Sequence, residues 1–73
     1  MNPENIFILK TNISTEARKG SARNVLDGIS GIERWSIDLH DIDCVLRIVS
    51  PTLSYESIIM LMNTHGFECS ELK

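Results

Sequence analysis

The densest group of metal-ligand and acid–base side chains in this 73-residue sequence is formed by His40, Asp41, Asp43 and Cys44. Zinc accepts imidazole, carboxylate and thiolate ligands, so these residue types suit a zinc site. The group nevertheless lies at a turn between two strand-like segments, and successive side chains of an extended chain point to opposite sides. Because the four side chains do not easily converge, we expect no metal ion to bind at this turn.

The other reactive side chains are scattered along the chain. Cys44 and Cys69 are far apart in sequence and form no Cys-x-x-Cys pair, so in a reducing compartment we expect both to be buried, small apolar side chains. His65 is isolated, and a lone histidine is not a site. The sequence contains no recognisable Ser-His-Asp arrangement, no glycine-rich phosphate loop and no pair of carboxylates in a plausible pocket. We therefore expect a protein that is not an enzyme and that holds no cofactor.

Length and charge exclude several further classes of protein. A chain of 73 residues forms one small domain, spanning 1–73. Its net charge of −3 argues against a nucleic-acid partner, because such proteins normally carry a basic excess. The first residues do not resemble a secretory signal, and no apolar run approaches the roughly 20 residues that span a bilayer. We expect a cytoplasmic protein that does not insert into membranes.

Hydrophobic patterning predicts the elements that must position these side chains. Apolar runs or period-two alternation predict strands, and apolar residues at helical spacing predict helices. The predicted order is a strand at 6–9, a helix from 14 to about 28, strands at 32–39 and 44–49, a helix from 54 to about 66, and a strand at 67–72. With right-handed crossovers, this βαββαβ order closes into a four-stranded antiparallel sheet of order 4-1-3-2. The predicted fold is therefore an α+β, ferredoxin-like sandwich with both helices on one face.

The first strand passes into the first helix at Asn12-Ile13-Ser14-Thr15-Glu16-Ala17-Arg18. Ser14 or Thr15 is suited to accept a hydrogen bond from a free backbone N–H of the first helical turn. Arg18 and Lys19 near this helix start would attract an anion or the carboxylate of a partner. The alternative is that the hydroxyl caps the helix and Arg18 lies in water.

The same stretch carries a resemblance to the heavy-metal-associated domain of copper chaperones and metal-transporting ATPases. In that family the first strand leads into Gly-Met-Thr-Cys-x-x-Cys, and Leu-Pro-Gly-Val follows the first helix. Counted without gaps, Asn12 to Arg18 lies on the metal loop, and Ile29-Ser30-Gly31-Ile32 lies on the second motif. Further matches are Ala22, Val25, Leu26, Ile29, Ile37-Asp38-Leu39 and Gly66-Phe67. The resemblance covers nearly the whole chain and implies the same fold.

The metal-binding motif of that family is lost. Thr15 and Arg18 stand where the resemblance places the two cysteines, and Asn12 stands where it places the glycine. Soft ions such as copper(I) need thiolates, whereas arginine is a permanent cation that repels a metal ion. The resemblance also implies that His65 and Phe67 lie near the loop. We therefore expect no metal ion as a partner; the alternative is a copper or zinc carrier that uses non-standard ligands or ligands from a partner.

A final prediction concerns the side of the sheet that faces away from the helices. Phe7 and Leu9 on the first strand and Val45 and Val49 on the third are predicted to form an apolar patch there. A small monomer rarely leaves such a patch in water. The sequence therefore predicts a non-catalytic interaction module that binds a protein partner, or a second copy of itself, through this face. The alternative is that the twist of the sheet hides the patch.

Overall fold

A computed structural model describes residues 6–72 of the chain. The elements follow the predicted order, with bounds at β1 (Ile6–Thr11), α1 (Glu16–Leu26), β2 (Arg34–Asp38), β3 (Val45–Val49), α2 (Tyr55–Thr64) and β4 (Cys69–Glu71). The second strand is shorter than predicted at both ends. Ile32 belongs to the loop after α1, where its N–H donates to the Ile29 carbonyl, and after Asp38 the chain turns towards β3, with the His40 N–H donating to the Asp38 carboxylate. No helix within residues 6–72 is long and apolar enough to span a membrane.

The four strands form one antiparallel sheet of order β2-β3-β1-β4, which is the predicted order in reverse. The fold is therefore the ferredoxin-like sandwich that the sequence predicts. In the pairing of β1 with β3, Phe7 lies opposite Ile48 and Leu9 lies opposite Leu46. Residues directly opposite each other in a sheet share a face, so this register decides which side chains are buried.

The helices cover the face that carries Phe7, Leu9, Leu46 and Ile48. Buried residues of both helices, Ala22, Leu26, Ile58 and Met62, join those four strand residues in a single core cluster. Trp35 packs against the edge of this cluster, and its indole N–H donates to Asp27, the C-cap residue of α1. The core thus lies between the sheet and one layer of two helices.

This register corrects the predicted apolar patch. Phe7 and Leu9 belong to the core, with exposed fractions of 8% and 0%, and do not lie on the outer side of the sheet. Val45 and Val49 do alternate onto the outer side, but Val45 is only 8% exposed. The side chains of β1 that face outward are Ile6, Ile8 and Lys10. The prediction assigns alternate residues of β1 to the wrong faces, because β1 is apolar on both faces and its sequence alone does not determine which residues point inward.

Local sequence explains how α2 begins and ends. Ser54 and Ser57 form a reciprocal capping box at its start. At its end, Gly66 adopts a φ of +88° and donates to Asn63, while Phe67 donates to Met62. This pair of bonds is a Schellman motif, which favours glycine at the left-handed position. The predicted stop at Gly66 is therefore where the helix terminates.

Gly31, in the segment that resembles Leu-Pro-Gly-Val, lies in close contact with the loop that leads into α2. A Cβ atom at Gly31 would lie 2.9 Å from the Thr52 hydroxyl oxygen and 3.1 Å from Cγ of Leu53. The loop after α1 therefore packs directly on the loop that leads into α2. Ser50 shapes that second loop, since its buried hydroxyl accepts hydrogen bonds from the backbone of Thr52 and Leu53.

Candidate functional site

Three loops meet at one end of the sheet, because β1 ends where its antiparallel neighbours β3 and β4 begin. The backbone N–H of Thr11 donates to Asp43, and that of Asn12 donates to Glu68. The loop between β1 and α1 is therefore tied to the β2–β3 loop on one side and to the α2–β4 loop on the other. We call the predicted loop residues Asn12, Ile13, Ser14, Thr15 and Arg18 the β1–α1 corner.

Thr15 uses its hydroxyl to close the first turn of α1. Its Oγ1 accepts a hydrogen bond of 3.1 Å from the backbone N–H of Arg18, and Thr15 is the N-cap residue. Ser14, the other predicted cap, is exposed and does not fill this position. The Arg18 side chain is exposed as well. The two positions that align with metal ligands thus hold a neutral oxygen that is already engaged and a cation.

The other two corner residues hold the loop in place. Ile13 is fully buried, with an exposed fraction of 0%, and belongs to the core cluster. Asn12 exchanges two hydrogen bonds with Glu68: its backbone donates to the Glu68 carbonyl and its side-chain oxygen accepts from the Glu68 N–H. Asn12 therefore has a structural task at the position that aligns with the family's glycine.

His65 and Phe67 lie in the α2–β4 connection, which the Asn12–Glu68 bonds tie to the corner. His65 is the C-cap residue of α2 and its side chain is exposed. Phe67 is 7% exposed and packs in the core. Of these two residues, His65 has the side chain that can bind a metal ion. The Thr15 hydroxyl, the Arg18 guanidinium and the His65 imidazole together do not make a donor set for a soft metal.

The two cysteines flank Thr11, which sequence spacing does not reveal. Cys69 pairs with Thr11 across β4, while the Cys44 carbonyl accepts a bond of 2.7 Å from the Thr11 hydroxyl on the β3 side. Two strand spacings separate their backbones by about 9–10 Å, which exceeds the reach of a disulfide. Burial raises the pKa of the Cys69 thiol to about 11 and so disfavours the thiolate. Cys44 is buried as predicted, whereas Cys69, also predicted to be buried, is half-buried.

In the acidic turn between β2 and β3, Asp41 accepts hydrogen bonds from backbone N–H groups of the turn itself. The Asp41 carboxylate accepts a 2.8 Å hydrogen bond from the N–H of Asp43, and the Asp41 carbonyl accepts one from Cys44. Cys44 holds a φ of +47° at the end of this turn. Within residues 6–72, no three histidine, cysteine or acidic side chains lie close enough together to hold a metal ion.

The outer side of the sheet carries a shallow cavity of about 230 Å³. Its lining residues come from three strands: Ile6, Arg34, Trp35, Ser36, Arg47 and Val49. Arg34 and Arg47 are exposed, and Val49 is half-buried. Of the four residues predicted to form an interaction surface, only Val49 contributes substantially to this one. We call the outward-facing side of β1, β2 and β3 the outer face.

Known proteins resemble this chain in fold. No family model matches the sequence, and no curated protein sequence matches it. Among solved structures, the copper(I)-loaded first domain of the human copper chaperone for SOD1 superposes with a TM-score of 0.78 at 15% identity, over 90% of this chain and 89% of that one. The yeast copper transporter domain Ccc2a gives 0.76 at 18% identity, over 94% and 96% of the two chains.

A copper-binding domain of the P-type ATPase HMA7 gives a TM-score of 0.78 at 18% identity, over 93% of both chains. The structures are similar over nearly their whole lengths, which confirms the predicted likeness to heavy-metal-associated domains at the level of fold. This chain has the fold of a heavy-metal-associated domain, and its only cysteines, Cys44 and Cys69, do not form the Cys-x-x-Cys pair.

Proposed function

We propose that this domain is a non-catalytic protein-interaction module that keeps the fold of a metal-carrying domain without carrying the metal. The observation that supports this most strongly is the hydrogen bond from the Arg18 N–H to Thr15 Oγ1. It replaces a metal-binding corner with a self-capped helix start. An arginine side chain at the second aligned position adds a fixed positive charge that opposes a cation.

The remaining thiols do not offer a substitute site. Cys44 and Cys69 lie on opposite sides of Thr11, and the Cys69 pKa of about 11 keeps that thiol protonated near neutral pH. Metal binding by thiols requires their deprotonation, so burial works against it. Asn12 and Asp41 use their side-chain oxygens within the protein. An interaction role needs none of these groups, because it uses the surface of the domain.

A competition titration tests the metal-free part of this proposal. The reduced full chain is mixed with copper(I) and a chromogenic chelator, and the chelator spectrum reports how much copper the protein removes. We expect no more removal than by a mixture of free thiols at the same concentration. The Cys44→Ser, Cys69→Ser double variant is the matched control, and it should remove no more copper than the parent chain does.

A stoichiometric copper(I) complex that resists the chelator would overturn this part of the proposal. If the complex disappeared in the double-serine variant, the ligands would be this chain's own thiols. If it persisted in that variant, the ligands would be imidazole, thioether or carboxylate groups. In both cases the domain would be a metal carrier with non-standard ligands rather than a metal-free module.

A further inference from the structure

The outer face carries a diagonal line of basic side chains that crosses three strands. We infer that this line is a docking site for a partner protein segment in extended conformation that presents acidic residues at alternate positions. The inference rests on the proposed interaction function and specifies the chemistry of the partner. We call Arg34, Arg47 and Lys10 the basic diagonal.

The strand register places these three residues at regular intervals. Arg34 of β2 lies opposite Val49, and Arg47 is two residues before Val49 on β3. Arg47 lies opposite Ile8, and Lys10 is two residues after Ile8 on β1. Diagonal neighbours of this kind are about 7–8 Å apart. All three side chains are exposed, and alternation along each strand puts them on the face away from the helices.

This interval matches the repeat of an extended peptide. Alternate residues of a β-strand point to the same side and are separated by about 6.6 Å. Acidic residues at positions i, i+2 and i+4 of a partner would therefore meet Arg34, Arg47 and Lys10 in turn. The guanidinium groups of the two arginines are planar and suited to bidentate contact with carboxylates.

The surroundings of the diagonal favour a protein over a phosphate polymer. On one side lie the aliphatic residues Ile6, Ile8 and Val49, of which Ile6 is 37% exposed. On the other side, Ser36 lies directly opposite Arg47. A mixture of an apolar surface and a charged stripe is typical of protein interfaces, whereas nucleic-acid surfaces are more uniformly basic. The aliphatic flank would pack against apolar side chains of the partner beside its acidic strand.

Charge also argues against a second copy of this chain as the occupant. The basic diagonal is accompanied on this face by one acidic residue within the described strands, Asp38, although the whole chain carries a net charge of −3. A twofold dimer brings the same surface of both copies together, so the two diagonals would face each other. Like charges that face each other across an interface weaken it, whereas an acidic partner would be attracted by the same basic residues.

The test is an NMR titration of the 15N-labelled full chain with a synthetic peptide. The probe is acetyl-Glu-Thr-Glu-Thr-Glu-Val-amide, and its matched control replaces every glutamate with glutamine. We expect the acidic peptide to shift the amide signals of Lys10, Arg34 and Arg47 while the glutamine peptide does not. Binding should weaken several-fold between 50 and 300 mM salt, because exposed charges are screened over about 10 Å at 0.1 M.

Matched variants locate the site. Arg34→Gln with Arg47→Gln should weaken binding of the acidic peptide about tenfold, because it removes two of the three cations. Lys19→Gln with Arg23→Gln makes the same change of net charge on α1 and should leave the affinity unchanged. Equal losses from both pairs would overturn the inference in favour of attraction by net charge alone.

Further outcomes also overturn the inference. A single-stranded oligothymidine that binds the outer face more tightly than the acidic peptide would make it a nucleic-acid surface. A dimer in sedimentation that Arg34→Gln with Arg47→Gln disrupts would make it a self-association surface. Absence of acidic-peptide binding, with the copper titration still negative, would remove the basic diagonal as a docking site and leave the metal-free proposal intact.

Discussion

The β1–α1 corner and the outer face differ in what their polar groups do. At the corner, the Thr15 hydroxyl, the Asn12 amide oxygen and the neighbouring Asp41 carboxylate all accept hydrogen bonds from the protein's own backbone. On the outer face, Arg34 extends from the start of β2 and Arg47 from the middle of β3, and both are exposed beside aliphatic side chains. The comparison therefore contrasts a loop whose side-chain oxygens accept hydrogen bonds within the protein with a sheet face whose charged side chains are exposed.

The comparison also separates the role of backbone geometry from that of side-chain chemistry. Buried Ile13 and the Asn12–Glu68 bonds hold the backbone of the corner. If this backbone follows the path of the family's metal loop, only the ligands differ, and new ligands should restore metal binding. The following predictions test this distinction, and they are given from the largest expected effect to the smallest.

The largest effect should come from returning cysteines to the corner. Thr15 and Arg18 are three residues apart at the start of α1, so their Cβ atoms lie about 5–6 Å from each other. The helix start favours thiolates, and Arg18→Cys also removes a repelling charge. Thr15→Cys with Arg18→Cys should bind one equivalent of copper(I) with an affinity about a thousandfold above that of either single variant, or about 4 kcal/mol.

Chelator competition measures that gain, and Thr15→Ser with Arg18→Ser serves as the oxygen-ligand control. Circular dichroism should show the native fold in all of these variants, because both positions are exposed. A folded double-cysteine variant with no gain over the single variants would mean that this loop does not correspond to the metal loop. The corner would then differ from the family in geometry as well as in ligands.

A second effect separates the two faces of β1. Phe7 is 8% exposed in the core, where its ring lies 4.9 Å from that of Tyr55 in an edge-to-face arrangement, whereas Ile6 is 37% exposed on the outer face. Phe7→Ala should lower the free energy of unfolding by about 3–5 kcal/mol, because it leaves a cavity. Ile6→Ala should cost less than about 1 kcal/mol. Urea denaturation measures both, and comparable losses would contradict the face assignment.

A third, smaller effect concerns the cap. Thr15→Ala removes the acceptor for the Arg18 N–H and should lower the free energy of unfolding by about 1 kcal/mol. Thr15→Ser keeps the hydroxyl and should recover most of that loss. Ser14→Ala is the matched control, and we expect it to be nearly neutral. If Ser14→Ala lowered the free energy of unfolding more than Thr15→Ala does, Ser14 rather than Thr15 would be the cap.

The smallest effect is a pH dependence on the alkaline side. The Cys69 thiol has its pKa raised from 9.0 to about 11 by burial, so the folded state holds its proton more tightly than the unfolded state. The stabilisation is fully present below pH 9 and is lost as the pH rises towards 11. Denaturation at several pH values should show this decline, and Cys69→Ser should lessen it. An equal decline in both proteins would assign it to other groups.

The sequence predicts the fold well because each element carries a local signal. Period-two alternation at Trp35 and Ile37, the cap at Ser54 and the stop at Gly66 are all determined within a few residues. The absence of thiols at Thr15 and Arg18 is equally evident from sequence alone. These features allow the topology and the altered corner to be predicted without coordinates.

The functional surface is harder to predict because it depends on register. The run Ile6-Phe7-Ile8-Leu9 is apolar throughout, and only its pairing with Leu46 and Ile48 decides which side chains point inward. A shift of one residue exchanges the two faces, which is why Phe7 and Leu9 are wrongly predicted to be exposed. The basic diagonal also depends on register, because Lys10, Arg34 and Arg47 become neighbours only when the three strands are aligned.

The hydroxyl of Tyr55 adds a link between α2 and the centre of the sheet. It accepts a hydrogen bond of 3.2 Å from the backbone N–H of Ile8, on the side of β1 where β4 is only three residues long. Fraying of β4 would therefore leave this amide bonded until α2 itself detaches. We expect native-state hydrogen exchange at Ile8 to be slow and to report the opening of α2, while the amides of β4 exchange through local fluctuations at lower free energy.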